Sequence, residues 1–341
     1  VGEEAAIEAE GSLAALLDRV EGGEELSISR EGKPVARLIP YAGQVGQNVA
    51  APYRLAASRH GVMLVNQNDF YMGAAYLKYG ECCQLESDFL VQLLKGSGQV
   101  IEVGANMGVH TIPMALELAR QGRTMLVFEP QPVIFQQLCA NLALNGLMNV
   151  TAMPYAIGAE VGVVSFAVPN YGAPGNFGGT EMHATGAGTQ GVASNPVATQ
   201  NVACFPLDSY AASTDVALIK IDVEGFELAV LQGAERTIKR SRPILYVEND
   251  RVAESEALVR WLLDHGYRLW WHTPALFNAA NSKGVQENLY PGIASFNMLC
   301  VPAEHNWTVH GADEILEPCV HPVLREAARR QEQAATSGGA G

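Results

Sequence analysis

QVIEVGANMGVH, Gln99 to His110, is the stretch whose reading decides how this chain folds. Val100, Ile101 and Val103 form a short apolar run with Glu102 inside it. Gly104, Ala105, Asn106 and Gly108 follow, and an apolar-periodic segment, Ile112 to Ala119, resumes at helical spacing. The pattern reads as strand, tight turn, helix. Gly104 and Gly108 lack side chains where a ligand would press on the backbone, and the N–H groups of the opening helix point into the same space. A polar small molecule is expected there.

Spacing narrows the choice. A dinucleotide turn needs glycines at relative positions one, three and six, which here hold Gly104, Asn106 and Val109. An acid on the strand followed by Gly-x-Asn-x-Gly suits S-adenosylmethionine instead, whose ammonium and sulfonium are cationic and whose carboxylate can accept from turn N–H groups. The next strand, TMLVFEP from Thr124 to Pro130, ends in Glu129, 25 positions after Gly104. Ligands of doubly wound sheets bind outside the carboxyl ends of the strands, so an acid at that end faces a ribose. Pro130 and Pro132 then open a helix reaching Asn145, and a third strand is expected over Val150 to Ala156.

A second signal is VALIKIDVEGFELAVLQGA, Val216 to Ala234. Strand alternation points Lys220, Asp222 and Glu224 the same way, so three charged groups converge at a strand end. Isolated, such charges are costly to bury; here they fall where substrate and cofactor would meet. RPILYVENDR closes another strand with Glu248 and Asn249. A helix from about Ser255 to Asp264 follows, then GYRLWWH and SFNMLCV as two last strands.

The 341 residues carry a formal net charge of −14. No Lys/Arg run exceeds a pair, so nucleic acid and anionic membranes are disfavoured as partners. No stretch of 18 apolar residues occurs, and Glu3, Glu4, Glu8 and Glu10 are unlike a secretory leader; a cytoplasmic location is expected. The six cysteines show no metal-type C-x-x-C spacing, and the adjacent Cys82 and Cys83 are taken as reduced.

Around this core, residues 1–41 are expected to form a separate α+β appendage, 42–52 a linker, 53–317 the main domain, and 318–341 a tail disordered at its end. A helix is expected from about Glu86 to Lys95. Tyr79, Gly80, Glu81 and Glu86 are candidates for ligand contact, although each taken singly reads as solvated surface. Between Pro169 and Gln200 the chain is rich in Gly, Ala, Thr and Asn. A loop of that length near the crevice suggests a mobile lid-like cover, with Asn176, Glu181 and His183 its distinctive groups.

Two resemblances follow from these motifs. EVGANMG, FEP, KIDVEG and RPILYVEN in this order resemble FkbM-type methyltransferases over about residues 53–302; the lead-in Tyr79-Gly80-Glu81 also matches, with Cys82 where an aromatic is common. The resemblance implies a class I, Rossmann-like α/β fold of seven strands, order 3-2-1-4-5-7-6 with strand 7 antiparallel. It also implies methylation, typically of a hydroxyl on a natural product or sugar. By motif position Glu102, Gly104, Ala105, Asn106 and Gly108 would hold the methionine end and Glu129 the ribose. Ala156 and Gly158 would flank the adenine, and Asp222 and Glu224 would border the methyl group. Asp222 is the first choice for a base, with His272 in reserve. Asp222, Glu248 and Asn249 are similar to the ligand set of magnesium-dependent catechol O-methyltransferases, so magnesium is a candidate cofactor.

Residues 11–40 resemble the N-terminal half of Phd/YefM-type antitoxins, without that family's first strand. Those proteins dimerise and bind DNA. Here residues 1–41 hold four basic side chains, Arg19, Arg30, Lys33 and Arg37, against nine acidic ones, which opposes phosphate contact and points to a homodimerising segment or a merely fused remnant. Two other readings stay open: a nicotinamide-dependent oxidoreductase on the same sheet, and a DNA-binding regulator with a vestigial methyltransferase body.

Overall fold

The computed structural model describes residues 6–7, 16, 19–20, 24, 26–30, 33–38, 52–179, 182–184, 196–211, 214–312, 314–316 and 321–324. Glu181, the linker residues 42–51 and the tail beyond 324 lie outside them, and for His183 only the backbone is described. The chain divides into two compact units, Val1–Ala51 and Pro52–Gly341.

In the first unit β2 (Leu26–Arg30) and β3 (Lys33–Leu38) form the expected antiparallel hairpin. A two-residue strand absent from the sequence reading, β1 (Ala6–Ile7), pairs parallel with β2.

The second unit opens with a hairpin of β4 (Tyr53–Ser58) and β5 (Gly61–Asn66), then two helices, α1 (Met72–Tyr79) and α2 (Gln84–Gln92). Next come β6 (Gln99–Val103), α3 (Thr111–Arg120), β7 (Met125–Phe128), α4 (Pro132–Leu144) and β8 (Val150–Met153). A second sheet follows: β9 (Ala156–Ile157), β10 (Gly162–Val168), β11 (Met182–Ala184) and β12 (Ala198–Phe205), in the order β11-β10-β12-β9. The chain re-enters the main sheet through the short α5 (Asp208–Ala211) and β13 (Val216–Ile221). After α6 (Glu227–Gln232) and α7 (Glu235–Ser241) it adds β14 (Ile244–Glu248). Finally α8 (Val252–Asp264) leads to β15 (Tyr267–His272), β16 (Asn297–Pro302) and β17 (Glu314–Ile315).

The main sheet runs β17-β15-β16-β14-β13-β6-β7-β8. Counted along the methyltransferase pattern, β6, β7, β8, β13, β14, β15 and β16 are strands one to seven, so the order is the expected 3-2-1-4-5-7-6. Only β16 runs antiparallel to its neighbours β14 and β15, and β17 adds a further antiparallel edge. Helices cover both faces, which is why the inner strands are apolar apart from the buried charges Glu102 in β6 and Lys220 in β13. Val100, Leu218 and Tyr246 pack into one core, and Ile101, Ile219 and Leu245, their immediate neighbours in sequence, into the other.

Three local expectations are corrected. The third strand stops at Met153 because Pro154 has no N–H to continue a ladder, and Ala156 starts the second sheet instead. The 169–200 insertion contributes strands to that sheet, and its first part is tied down. Tyr171 O accepts from Asn66 Nδ2 at 2.9 Å, Tyr171 Oη donates to Gln131 Oε1 at 3.0 Å, and Gly175 bonds both Asn68 and Phe70. The helix expected at Glu86 begins two residues earlier, at Gln84.

Candidate active site

The carboxyl ends of β6, β7, β13 and β14 surround one cavity of about 220 Å³, walled in part by Gly104, Ala105, Asn106, Glu129, Asp222 and Glu248. Gly104 has φ +86°, and a Cβ there would lie 1.7 Å from the Asp222 carbonyl oxygen. The adjoining chain, not a ligand, therefore demands this glycine. The turn's own N–H groups are also largely committed. Those of Gly104 and Ala105 both donate to the Phe128 carbonyl at 2.9 Å, that of Asn106 to Glu129 Oε2 at 2.9 Å, and that of Met107 to Asn106 Oδ1 at 2.7 Å. The expectation that they stand free for a ligand is corrected: the turn is held by its neighbours and offers a preformed wall.

Glu129, 3% exposed, ties the turn to the strand end, because its Oε1 also accepts the Gln131 N–H at 2.8 Å. Burial pushes its carboxyl up to about 7 against the pull of these two N–H donors. Each oxygen keeps a second lone pair for a hydroxyl.

Beneath the cavity lies Lys220, 1% exposed, whose Nζ is 2.9 Å from Asp222 Oδ2 and 3.8 Å from Glu102 Oε1. Glu102 is itself 1% exposed and accepts from Thr111 Oγ1 at 2.6 Å. It is absent from the cavity wall, so it serves as internal counter-charge to Lys220. Burial raises Asp222, but the Lys220 ammonium more than offsets this and holds the carboxyl below its usual range. Its side chain remains 31% exposed. Glu224, at φ +54°, accepts from Arg251 at 2.6 Å. Glu248 has a buried oxygen, Oε2, with no partner. Burial, with Asp222 and Glu224 facing it, pushes Glu248 well above the carboxylate range. Oxygens of Asp222, Glu224 and Glu248 all lie within 4.8 Å of one another.

The far wall holds groups that sequence reasoning placed on the surface or passed over: Cys82, Cys83, Glu86 and His110. Glu86 stands in the first turn of α2 and is 3% exposed. His110 Nε2 lies 3.4 Å from Glu86 Oε1, and His110 Nδ1 2.9 Å from Ser87 Oγ. Burial and the nearby Lys220 push His110 down to about 3, so it is neutral. An acid beginning the helix that feeds the central strand was the available signal. Tyr79 and Glu81, also read as surface, are buried and structural: Tyr79 Oη donates to the Glu287 carbonyl at 2.9 Å, and Glu81 accepts from Arg59 at 2.7 Å and from the Ser282 N–H at 2.8 Å.

Besides Glu102, five expected site residues are absent from the cavity wall, Gly158 among them. Ala156 is buried in the second sheet. Gly108, at φ +98°, is packed against Leu138 and Ile112. Asn249 donates to Met298 Sδ at 3.3 Å and its carbonyl lies 2.7 Å from His321 Nε2, so the amide is not with the carboxylates and Glu224 takes its place. His272 lies in a separate groove, its Nδ1 2.7 Å from Tyr246 Oη and its ring stacked on Phe89 at 4.2 Å; burial lowers its pKa.

Residues 102–269 match a family model described as Methyltransferase FkbM domain. Among solved structures the chain is similar to an FkbM methyltransferase from Methylobacillus flagellatus KT: 17% identity, 62% of this chain, 46% of that one, TM-score 0.40. It is also similar to a precorrin-6y C5,15-methyltransferase from Geobacter metallireducens GS-15: 12% identity, 64% of this chain, 89% of that one, TM-score 0.38. A third is an O-methyltransferase described as putative from Klebsiella pneumoniae: 17% identity, 64% and 78% coverage, TM-score 0.35. This chain thus spans less than half the length of the M. flagellatus protein. No curated protein matches the sequence. Nothing in these comparisons supports the antitoxin-like reading of residues 11–40, and among the described residues no helix is long and apolar enough to cross a membrane.

Proposed function

We propose, from the premise that residues 102–269 of this S-adenosylmethionine-dependent methyltransferase are an FkbM domain, that the acceptor is a hydroxyl group on a small molecule or saccharide. The residues present suit the methyl donor. The cavity lies at the strand ends, Glu129 offers lone pairs where a ribose would lie, and the surrounding carboxylates favour a cation. S-adenosylmethionine, when bound, supplies a methyl group already activated on a sulfonium. The protein's task is therefore alignment, which alone can contribute roughly 7–11 kcal/mol.

The observation that carries the acceptor reading is the placement of Asp222. Lys220 fixes one of its oxygens at 2.9 Å, while the side chain remains open to the cavity beside Glu248. A hydroxyl must lose its proton as a lone pair of its oxygen forms a third bond, to the methyl carbon, while the carbon–sulfur bond breaks and its electrons return to sulfur; by then the proton is acidic enough for a weakly basic carboxylate. Asp222 takes that proton, with Glu248 beside it on the cavity wall. Asn176, Gly178 and Gly179, from the tied insertion, complete the wall near Glu224.

A second reading rests on the clustering of Asp222, Glu224 and Glu248. Three hard oxygen donors within 4.8 Å suit magnesium, which would polarise the acceptor oxygen. Lys220 and Arg251 already offset two of these charges, so a proton shared by Asp222 and Glu248 balances the set equally well. The test is methyl transfer from labelled donor to a panel of hydroxylated acceptors, run after chelation with and without added magnesium. A labelled ether product supports the hydroxyl reading. Label on nitrogen or carbon contradicts it, and a rate restored only by magnesium favours the metal.

A further inference from the structure

Glu102 was expected to meet the methionine end of the donor, yet it is buried under the cavity and engaged with Lys220 and Thr111. That leaves the donor's α-ammonium without its expected partner. An ammonium leaving water needs a carboxylate, and the cost of burying it unpaired is high. Five carboxylates line the cavity. Glu129 is bound to two N–H groups at the ribose position, Asp222 is paired with Lys220, and Glu224 with Arg251. Glu248 belongs to one carboxylate cluster with Asp222 and Glu224, their oxygens within 4.8 Å of one another.

Glu86 is different. It projects from α2, beside His110 at the start of α3, with Ser295 and Asn297 close by. Among the described residues no Lys or Arg lies within ion-pair distance of it. His110, 3.4 Å away, is neutral and does not satisfy its charge. Glu129 marks the β7 end of the cavity, whereas Glu86 answers to Lys220 and Asp222 on the β13 side. A donor with its ribose at Glu129 therefore carries its amino-acid end past the glycine turn toward Glu86.

We propose that Glu86 is the binding residue for the α-ammonium of the methyl donor and of its demethylated product. The inference rests on the donor reading and adds a residue outside the matched segment 102–269.

The test is isothermal titration of two probes, S-adenosylhomocysteine and 5′-methylthioadenosine, which keeps the adenosine and thioether but lacks the amino-acid end. Glu86→Gln is expected to weaken S-adenosylhomocysteine at least tenfold and to leave 5′-methylthioadenosine unchanged; retention of the second probe also shows that the cavity is intact. Equal losses for both probes, or no loss for either, overturn the proposal. A wild-type protein that binds 5′-methylthioadenosine but not S-adenosylhomocysteine overturns it as well, while leaving the adenosine site standing. A wild-type protein that binds neither overturns the donor reading itself.

Discussion

Lys220 Nζ donates to Asp222 Oδ2 across 2.9 Å while remaining 1% exposed, so a fully buried cation fixes a carboxylate that opens onto the cavity. Removing the cation would leave Glu102 buried with its counter-charge gone. Lys220→Met is expected to cost about 3–5 kcal/mol of stability, read from the urea midpoint. An unchanged midpoint would mean that Glu102 holds a proton and needs no partner.

Asp222→Asn keeps the shape and removes the proton acceptor. Turnover is expected to fall at least a hundredfold, consistent with general-base contributions of about 10²–10⁴, with affinity for S-adenosylhomocysteine changed less than threefold. A variant retaining most of its rate would remove Asp222 from the proton-transfer role.

Gly104→Ala places a Cβ 1.7 Å from the Asp222 carbonyl oxygen at φ +86°. The expected penalty exceeds the roughly 1–3 kcal/mol of backbone strain alone, because the turn and the end of β13 must separate. Thermal unfolding and donor affinity should worsen together; a stable variant that loses only affinity would show that the glycine instead serves close approach of the ligand.

Burial raises Glu86, Glu102 and Glu129 to about 7. These groups bind protons in the folded state at pH values where the unfolded chain has released them. Their contribution to stability is therefore complete below the ordinary carboxylate pKa and is lost as pH rises through about 7. The ligand-free protein is expected to melt at a lower temperature at pH 8 than at pH 5.5, with the difference reduced in Glu102→Gln. A melting temperature that rises over this range would contradict the burial of these acids.

The order of the main sheet was legible because each of its key turns carries chemistry: Gly104 after β6, Glu129 after β7, Asp222 after β13 and Glu248 ending β14. The second sheet was not. Its strands β10 and β12 are joined through a Gly/Ala/Thr-rich segment whose composition reads as loop, and only cross-strand pairing such as Val164 with Val202 reveals them. The roles of Glu102 and Glu86 were misjudged for one reason. Periodicity places an acid on a face but does not say whether a lysine 118 positions away, Lys220, will claim it, or whether a helix will turn it inward, as α2 does for Glu86. Asn249 differs from Glu248 by one position, and alternation sends its amide to Met298 instead of the cavity.

The central claim is that the cavity between Glu129 and Asp222 holds the methyl donor, and equilibrium dialysis of the purified protein with radiolabelled S-adenosylmethionine tests it most directly. The account predicts saturable uptake of one equivalent, displaced by S-adenosylhomocysteine and weakened at least tenfold in Glu129→Ala. No saturable uptake, or uptake at wild-type affinity in that variant, would contradict it.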